Sequence, residues 1–596
     1  MKHETSTRTA LSTRLFFLVV AAPLFLVFPY LAQVNNPNEN VRTYMAMALV
    51  DHRSFTIDAE VKVFGWTNDM AKVPQKDGGT KYFSVKAPAN SYLGVPAYAV
   101  FKRVAALGGH RRPSERSTGE ERAWWLRNAT WAIRLLSVQL PCFLFLLFFE
   151  RWLRAHVRDA SFRLSAVAAL ALGTNFLAYS HMVASHTLEG VCMFTAFALV
   201  ETELRRTGNV PRRANASVAW FSGLLTGGCV LLEYHALPSA AIFAAFGIYV
   251  FRTPKSMLAF VSGAAIDVAA MMVFQFYAYG DPFTPGHRMV EDPALAEWHH
   301  RGLFGIALPD VEKLWLLSSS PTFGFFGTSP YMVLGILGGG VGLTLGLRAH
   351  PSKHRGRLVV AVWCLGMFVL WLVVSAAAPW RGGWTVGPRL LGAAPPFFAF
   401  GAASALDAIA SRRPRWRAPL TGLAGGLALA SVLSIGFVAL VYNSLPENVA
   451  RPLVQFAIPL ARAGFVAHHV FEWFGVVGLG PWYFVAAALV LAPSISLFAS
   501  PNVRSPTFLR LAAGAFVLAF GIGMVPALSS PPTQGVVDLP WFVRGWEPVG
   551  RDRLSILGKG DDPCRYGVRA RLFDDLGMSS EAAVERAAGL ASGACR

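Results

Sequence analysis

The sequence predicts an all-α fold: a polytopic bundle of about 13 transmembrane helices, N-terminus inside and C-terminus outside, with a large first extracytoplasmic loop and an extracytoplasmic C-terminal tail. Three observations carry this expectation. Of the 596 residues, 54% are hydrophobic and only 15% charged, against about 25% charged in soluble domains. The apolar residues fall in continuous blocks of roughly 18–22 residues, the length that crosses a hydrocarbon core of ~30 Å. Continuous rather than alternating runs favour helices over a closed barrel. The net charge of +19 is gathered in short connections between blocks, so it reads as topology rather than as nucleic-acid binding.

Taken in order, residues 1–14 carry Lys2, Arg8 and Arg14 and read as a cytoplasmic N-terminus. The first block, Leu15–Val34, lacks a small-residue cleavage site and reads as a retained helix. Further spans are expected near 131–149, 162–180, 186–202, 216–233, 235–251, 257–277, 330–348, 359–378, 388–410, 418–441, 479–498 and 510–528. With outer loops 35–130, 278–329 and 442–478 they form a transmembrane domain over 15–528, followed by a tail over 529–596.

Alternating spans put Arg151, Arg154, Arg158, Arg205, Arg206, Arg212, Arg213, Arg252, Lys255, Lys353, Arg355, Arg357, Arg412, Arg413, Arg415, Arg417 and Arg504 on one side. The short opposite connections hold only Arg381. This is the positive-inside pattern, and it sends every long loop outward. Cys142, Cys192, Cys229 and Cys364 lie in apolar blocks and are expected as buried thiols. Cys564 and Cys595 flank Ser579–Leu590 in the tail and are expected to pair.

The unusual polar residues concentrate in the first outer loop. In Asn35-Asn36-Pro37-Asn38-Glu39-Asn40-Val41-Arg42, Asn38 is the expected N-cap of a helix reaching Val50. Glu39 and Arg42 then share one face of the first turn. Glu39 is either a general base for an acceptor hydroxyl or a structural carboxylate bonded to Arg42. Asp77-Gly78-Gly79 reads as a tight turn, and Tyr82-Phe83 as a short extended segment. Lys86, just before Pro88, projects from a loop. It would hold a lipid phosphate as a point charge or, more blandly, snorkel to head groups. Arg389, after Trp380-Arg381-Gly382-Gly383-Trp384, sits at an outer membrane edge, where a lone Arg needs a partner or an anion. His181, His186 and Glu189, and likewise Glu233, Tyr234 and His235, mark outer edges and read as polar caps. Their spacing matches no metal-ligand motif, so no cofactor is expected and a divalent metal has no support. Walker, Rossmann and nucleophile-elbow signatures are missing.

Together these stretches resemble the bacterial polytopic glycosyltransferases of the GT-C superfamily, the type related to protein O-mannosyltransferases and lipopolysaccharide-core sugar transferases. The likeness is carried, over roughly residues 15–410, by Asn38-Glu39-Asn40-Val41-Arg42 with Thr56-Ile57-Asp58. It continues in Gly79-Thr80-Lys81-Tyr82-Phe83-Ser84-Val85-Lys86-Ala87-Pro88, in Gly280-Asp281-Pro282 with Gly302-Leu303-Phe304-Gly305 and Ser329-Pro330, and in Gly382-Gly383-Trp384 with Gly387-Pro388-Arg389. The resemblance implies sugar transfer from a polyprenyl-phosphate-linked donor to a glycan, lipid or protein acceptor, on the outer face of a bacterial inner membrane. It implies a catalytic carboxylate at Glu39 or, as second choice, Asp69. Substrate binding would fall to Arg42, Tyr82, Lys86, His186 and Arg389. Many relatives carry two acids where this chain has Asn38-Glu39. The competing readings are a lipid-linked-glycan flippase or other transporter, and a non-catalytic membrane subunit. The lack of a convincing internal repeat and the gathering of polar residues at span ends and in loops argue against transport.

Overall fold

The computed structural model describes residues 2–596 except 32–35, 76–77, 208–213, 301–304, 348–351, 448, 463, 477–478, 501, 504, 530–538, 546–564, 576 and 594–596. Cys564, Cys595, Arg212, Arg213, Arg504, Asp77 and Gly302-Leu303-Phe304 therefore lie outside the described residues, as does the expected disulfide. Cys142, Cys192, Cys229 and Cys364 are free thiols.

The chain opens with α1 (Lys2–Phe25) and a short strand β1 (Val27–Phe28). The segment expected as the first outer loop holds α2 (Pro37–Asp51), α3 (Asp58–Phe64), the hairpin β2 (Met70–Pro74) and β3 (Thr80–Ser84), α4 (Ala89–Leu107) and α5 (Gly119–Ile133). There follow α6 (Leu140–Leu153), α7 (Ala160–Leu172), α8 (Asn175–Ser180), α9 (His186–Thr207), α10 (Ala216–Leu232), α11 (Leu237–Val250) and α12 (Pro254–Tyr279). The segment expected as the second outer loop carries α13 (Pro293–His300), α14 (Val311–Ser319) and α15 (Phe325–Thr328), and leads to α16 (Val333–Leu347), α17 (Ser352–Ala376), α18 (Ala394–Arg412), α19 (Arg417–Ser431) and α20 (Phe437–Val441). After α21 (Ile458–Arg462) and β4 (His468–His469) come α22 (Gly480–Phe498) and α23 (Pro506–Ser529). The tail supplies α24 (Leu539–Gly545), α25 (Arg565–Asp575) and α26 (Ser579–Ala591).

A helix occupies every expected apolar block. Among the described residues, six helical segments have the length and apolarity to cross a membrane: 119–153, 254–279, 355–376, 414–441, 480–498 and 506–529. Shorter apolar helices accompany them. The fold is thus the all-α, multi-pass kind expected. Several boundaries differ. α1 begins at Lys2, inside the stretch expected as a plain cytoplasmic terminus, and ends at Phe25 rather than near Val34. Residues 27–28 leave the helix to pair antiparallel with His468 and His469. The second block extends from Gly119 because Thr118 and Glu121 form a reciprocal capping box. The third breaks at Gly173, where Thr174 caps α8.

Glycines set the close helix contacts. A Cβ on Gly223 would lie 1.9 Å from the Phe260 carbonyl, and one on Gly263 2.2 Å from that of Trp220, so α10 and α12 touch backbone to backbone.

The segment from α2 to α5 is a small folded unit with its own core. Tyr44, Met45, Ile57, Met70, Phe83, Tyr98 and Trp125 pack together, joined by Phe274 and Tyr279 from the end of α12 and by Val290. The tail also docks. Phe542 of α24 is fully buried, its ring 4.9 Å from Tyr442, 5.2 Å from Phe456 and 6.1 Å from Trp384, while Trp541 meets Trp384 edge-on at 5.7 Å. Arg544 ties α24 to α26 through Glu581 and Glu585.

Candidate functional site

The first turn of α2 places two of the expected site residues. Its N-cap is Asn36, not Asn38: the Asn36 side chain accepts from the Asn38 N–H at 2.9 Å, with Pro37 at the first helical position. A proline there gives up only an N–H that the helix would leave unbonded anyway. The side chains at 39 and 42 then diverge.

Glu39 turns toward α5 and the turn that continues it. The Arg134 guanidinium grips it with two bonds of 2.6 Å, and the Val183 N–H donates to it at 2.7 Å. Arg134 also donates to the Pro29 carbonyl at 2.6 Å and lies over the Phe28 ring. The Glu39 and Arg134 side chains are 1% and 3% exposed. Glu39 is therefore not bonded to Arg42, the pairing expected if it were structural; its partner is an arginine from an apolar block 95 residues away.

Arg42 is fully buried on the other side. It donates to the Asn38 carbonyl at 2.9 Å, the Ser185 hydroxyl at 2.7 Å and Glu233 at 3.1 Å. Glu233 caps the end of α10 and lies 3.6 Å from His186 Nδ1 and 3.8 Å from His235 Nδ1. His235 Nε2 donates to the Leu390 carbonyl at 3.1 Å, next to Arg389.

The hairpin delivers the second pair. Met70 and Ser84 face each other at one end of the ladder. Asp69 precedes one strand and Lys86 follows the other, and the Val85 N–H donates to the Asp69 carbonyl. Their side chains meet at 3.0 Å, 13% and 21% exposed respectively. Burial pushes the Lys86 ammonium below its usual range; Asp69 opposes this, while the positive charges of Arg389 and Arg42 reinforce it. Three cations thus lie close enough to feel one another's charge, with Asp69 paired to Lys86 and Glu233 to Arg42.

The third cation depends on local backbone. Gly382, Gly383 and Gly387 all have positive φ, at +81°, +77° and +71°, a region costly for other residues. A Cβ on Gly382 would stand 2.5 Å from Arg389 Nε, so the glycine makes room for that side chain. Asn175 donates to the Pro388 carbonyl at 3.0 Å, Tyr179 bonds Thr385, and the Thr385 N–H donates to Leu445. Arg389 Nε has no hydrogen-bond partner among the described residues.

Of the residues singled out from sequence, Arg42, Asp69, Lys86, His186 and Arg389 are brought together. Glu39 lies in the Arg134 pocket. Tyr82 bonds elsewhere: its hydroxyl donates to Glu291 at 3.2 Å. Sequence reasoning missed Arg134, Ser185 and His287. An arginine inside an apolar block was the available signal for Arg134, because such a charge must find a partner. His287 lies near Lys86; burial, with the charges of His299, Lys86 and Arg288, pushes its imidazole down to about 3. No group of three or more His, Cys, Asp or Glu is placed to hold a metal among the described residues.

No protein-family model matches the chain, and no curated protein matches it in sequence. Among solved structures it is similar to the Archaeoglobus fulgidus oligosaccharyltransferase tethered through a disulfide bond to an acceptor peptide containing the NVT sequon. That structure is 13% identical with a TM-score of 0.37, the likeness covering 91% of this chain and 58% of that one. The chain therefore spans less than two thirds of that protein's length.

Proposed function

We propose that this chain is a membrane glycosyltransferase of the GT-C kind that moves a sugar from a polyprenyl-phosphate-linked donor to an acceptor on the outer face of a bacterial inner membrane. The observation that carries the reading is the grouping of the cations Arg42, Lys86 and Arg389, with Asp69 paired to Lys86 at 3.0 Å. Fixed cations in a poorly hydrated site stabilise the negative charge that develops on a departing phosphate. The order of sequence motifs described above supports the same class. About thirteen spans, N-terminus inside, remain the proposed topology. The basic ends of α9 (Arg205, Arg206) and α18 (Arg412) lie opposite the ends that carry His186 and follow Arg389. That polarity supports an outward-facing recess.

In this mechanism the donor phosphate enters among the three cations and draws the Lys86 ammonium away from Asp69. The freed carboxylate accepts the proton of an acceptor hydroxyl, whose oxygen attacks the anomeric carbon. The bond from that carbon to the phosphate oxygen breaks, and its electron pair leaves with the phosphate, so configuration inverts. Glu39, held by Arg134, fixes the start of α2 and thereby Arg42. Asp69 is accordingly the preferred base.

The test is transfer of labelled sugar from a panel of polyprenyl-phosphate sugars in vesicles, comparing wild type with Asp69→Asn and Lys86→Ala. Loss of a general base lowers turnover by about 10²–10⁴-fold; Lys86→Ala raises the donor KM by about 10-fold or more. No transfer from any donor by the wild type, with flipping of a labelled lipid-linked glycan instead, would replace this reading by the transporter.

A further inference from the structure

The hairpin carries a second constellation. Glu291 gathers two aromatic residues and a lysine. Trp66 Nε1 donates to its Oε2 at 3.0 Å, the Tyr82 hydroxyl donates to its Oε1 at 3.2 Å, and Lys72 Nζ stands 3.7 Å from Oε1. The backbone fixes the carboxylate. The Glu291 N–H donates to the Met70 carbonyl at 2.8 Å, and Val290 bridges to Ala71, so 290–291 runs beside β2 as a third extended segment. Lys72 and Tyr82 face each other across the ladder.

Trp66 is nevertheless 59% exposed. It follows Gly65, whose φ of +105° lets the chain leave α3 and turn outward. Its polar edge is already bonded within the protein, as is that of Tyr82, so what the indole offers to solvent is ring face. An aromatic side chain of a membrane belt does the reverse, sinking its ring into lipid and turning its polar edge to the head groups. The central carboxylate also opposes an anionic lipid surface.

A ring face beside a carboxylate and an ammonium suits a sugar, whose C–H face lies on the aromatic ring while its hydroxyls bond the charged groups. The distance to the reaction centre fits. Trp66 and Lys72 are each three residues from Asp69, and three residues of extended chain reach at most ~11 Å. A saccharide seated on the platform thus reaches Asp69 within one or two further rings.

We propose that Trp66, Tyr82, Lys72 and Glu291 form a saccharide-binding platform that seats a glycan acceptor beside the Asp69–Lys86 pair. This rests on the glycosyl-transfer reading above and narrows its acceptor to a glycan. The test uses the full chain in nanodiscs without donor. Binding of a panel of soluble bacterial-envelope oligosaccharides is measured for wild type, Trp66→Ala, Trp66→Phe and Glu291→Gln, and binding of anionic vesicles is measured in parallel. The expected result is an oligosaccharide Kd weakened about 10-fold or more by Trp66→Ala and largely recovered by Trp66→Phe, which keeps a stacking face. Vesicle binding stays unchanged. Failure of every oligosaccharide to bind wild type would overturn the platform. So would equal affinity in Trp66→Ala, or loss of vesicle binding alone, which would mark an interfacial anchor. Because binding is read without donor, a glycan that binds through Trp66 but is never glycosylated would sink the transfer reading and leave the platform standing.

Discussion

Replacing Glu39 by Gln separates support from catalysis. The substitution keeps an oxygen that can accept from Val183 but removes the charge facing Arg134. The guanidinium is then left 3% exposed, with two bonds of 2.6 Å to the carboxylate lost or weakened. Breaking one side of a buried pair costs about 3–5 kcal/mol, because the remaining charge has no compensation. Adding Arg134→Gln removes that charge and leaves two neutral amides, so the deficit should shrink to about 1–2 kcal/mol, a hydrogen-bond-sized loss. The assay is thermal unfolding of the purified protein in detergent together with sugar transfer per folded molecule. The single variant should unfold at markedly lower temperature, the double variant should recover most of the loss, and turnover per folded molecule should stay within about 10-fold of wild type, short of the loss expected for a missing base. A Glu39→Gln protein as stable as wild type, with turnover down about 10²–10⁴-fold and no rescue by Arg134→Gln, would refute this reasoning and return the base to Glu39.

Two further expectations concern the recess and its supporting loop. Gly382→Ala should raise the donor KM with little change in acceptor affinity, because the added Cβ falls 2.5 Å from Arg389 Nε and φ at this position is +81°; the strain itself costs about 1–3 kcal/mol. An unchanged donor KM would separate Arg389 from donor binding. In α3, burial raises the Glu60 carboxyl to about 7, against the opposing pull of Arg112, with Asp51 adding to the rise. His52 also faces it. An acid with a raised pKa lends stability that is complete below its unfolded value of about 4.3 and is lost as pH rises through its folded one. Amide-exchange protection across α3 should therefore fall between about pH 4.3 and 7, and Glu60→Gln should flatten the trend; an identical pH profile in the variant would exclude Glu60 as its source.

Much of the bundle was legible because apolar length is a nearly one-dimensional property. A run such as Pro254–Tyr279 announces its helix without knowledge of its neighbours. Of the hairpin, the extended run at Tyr82-Phe83 was legible for a similar reason and lies within β3; its partner strand β2 was not expected. What stayed hidden was pairing across distance. Glu39 and Arg42, three apart on one turn, look like mutual partners, yet each finds a tighter one 95 or 191 residues away. Local spacing cannot weigh such bonds, because their strength comes from burial that only the assembled helices create. The end of α1 was misplaced likewise: residues 27–28 are apolar enough to continue a helix, but pairing with His468 and His469 draws them out. Tyr82 was expected among the substrate-binding residues; its hydroxyl bonds Glu291, 209 residues on, a coupling that no local spacing reveals.

The docking of α24 has a consequence for how the molecule is made. Phe542 and Trp541 seat on Trp384, within the loop that carries Gly382 and leads to Arg389. These two residues are translated after the six long apolar segments, whereas Arg42 and Lys86 precede all six. The Arg42 and Lys86 side of the site thus rests on a local core made before those segments, while the Arg389 loop gains its aromatic prop only after them. A chain that stalls before residue 539 would hold the Arg389 segment without that support. The order of translation is thereby written into the geometry of the site.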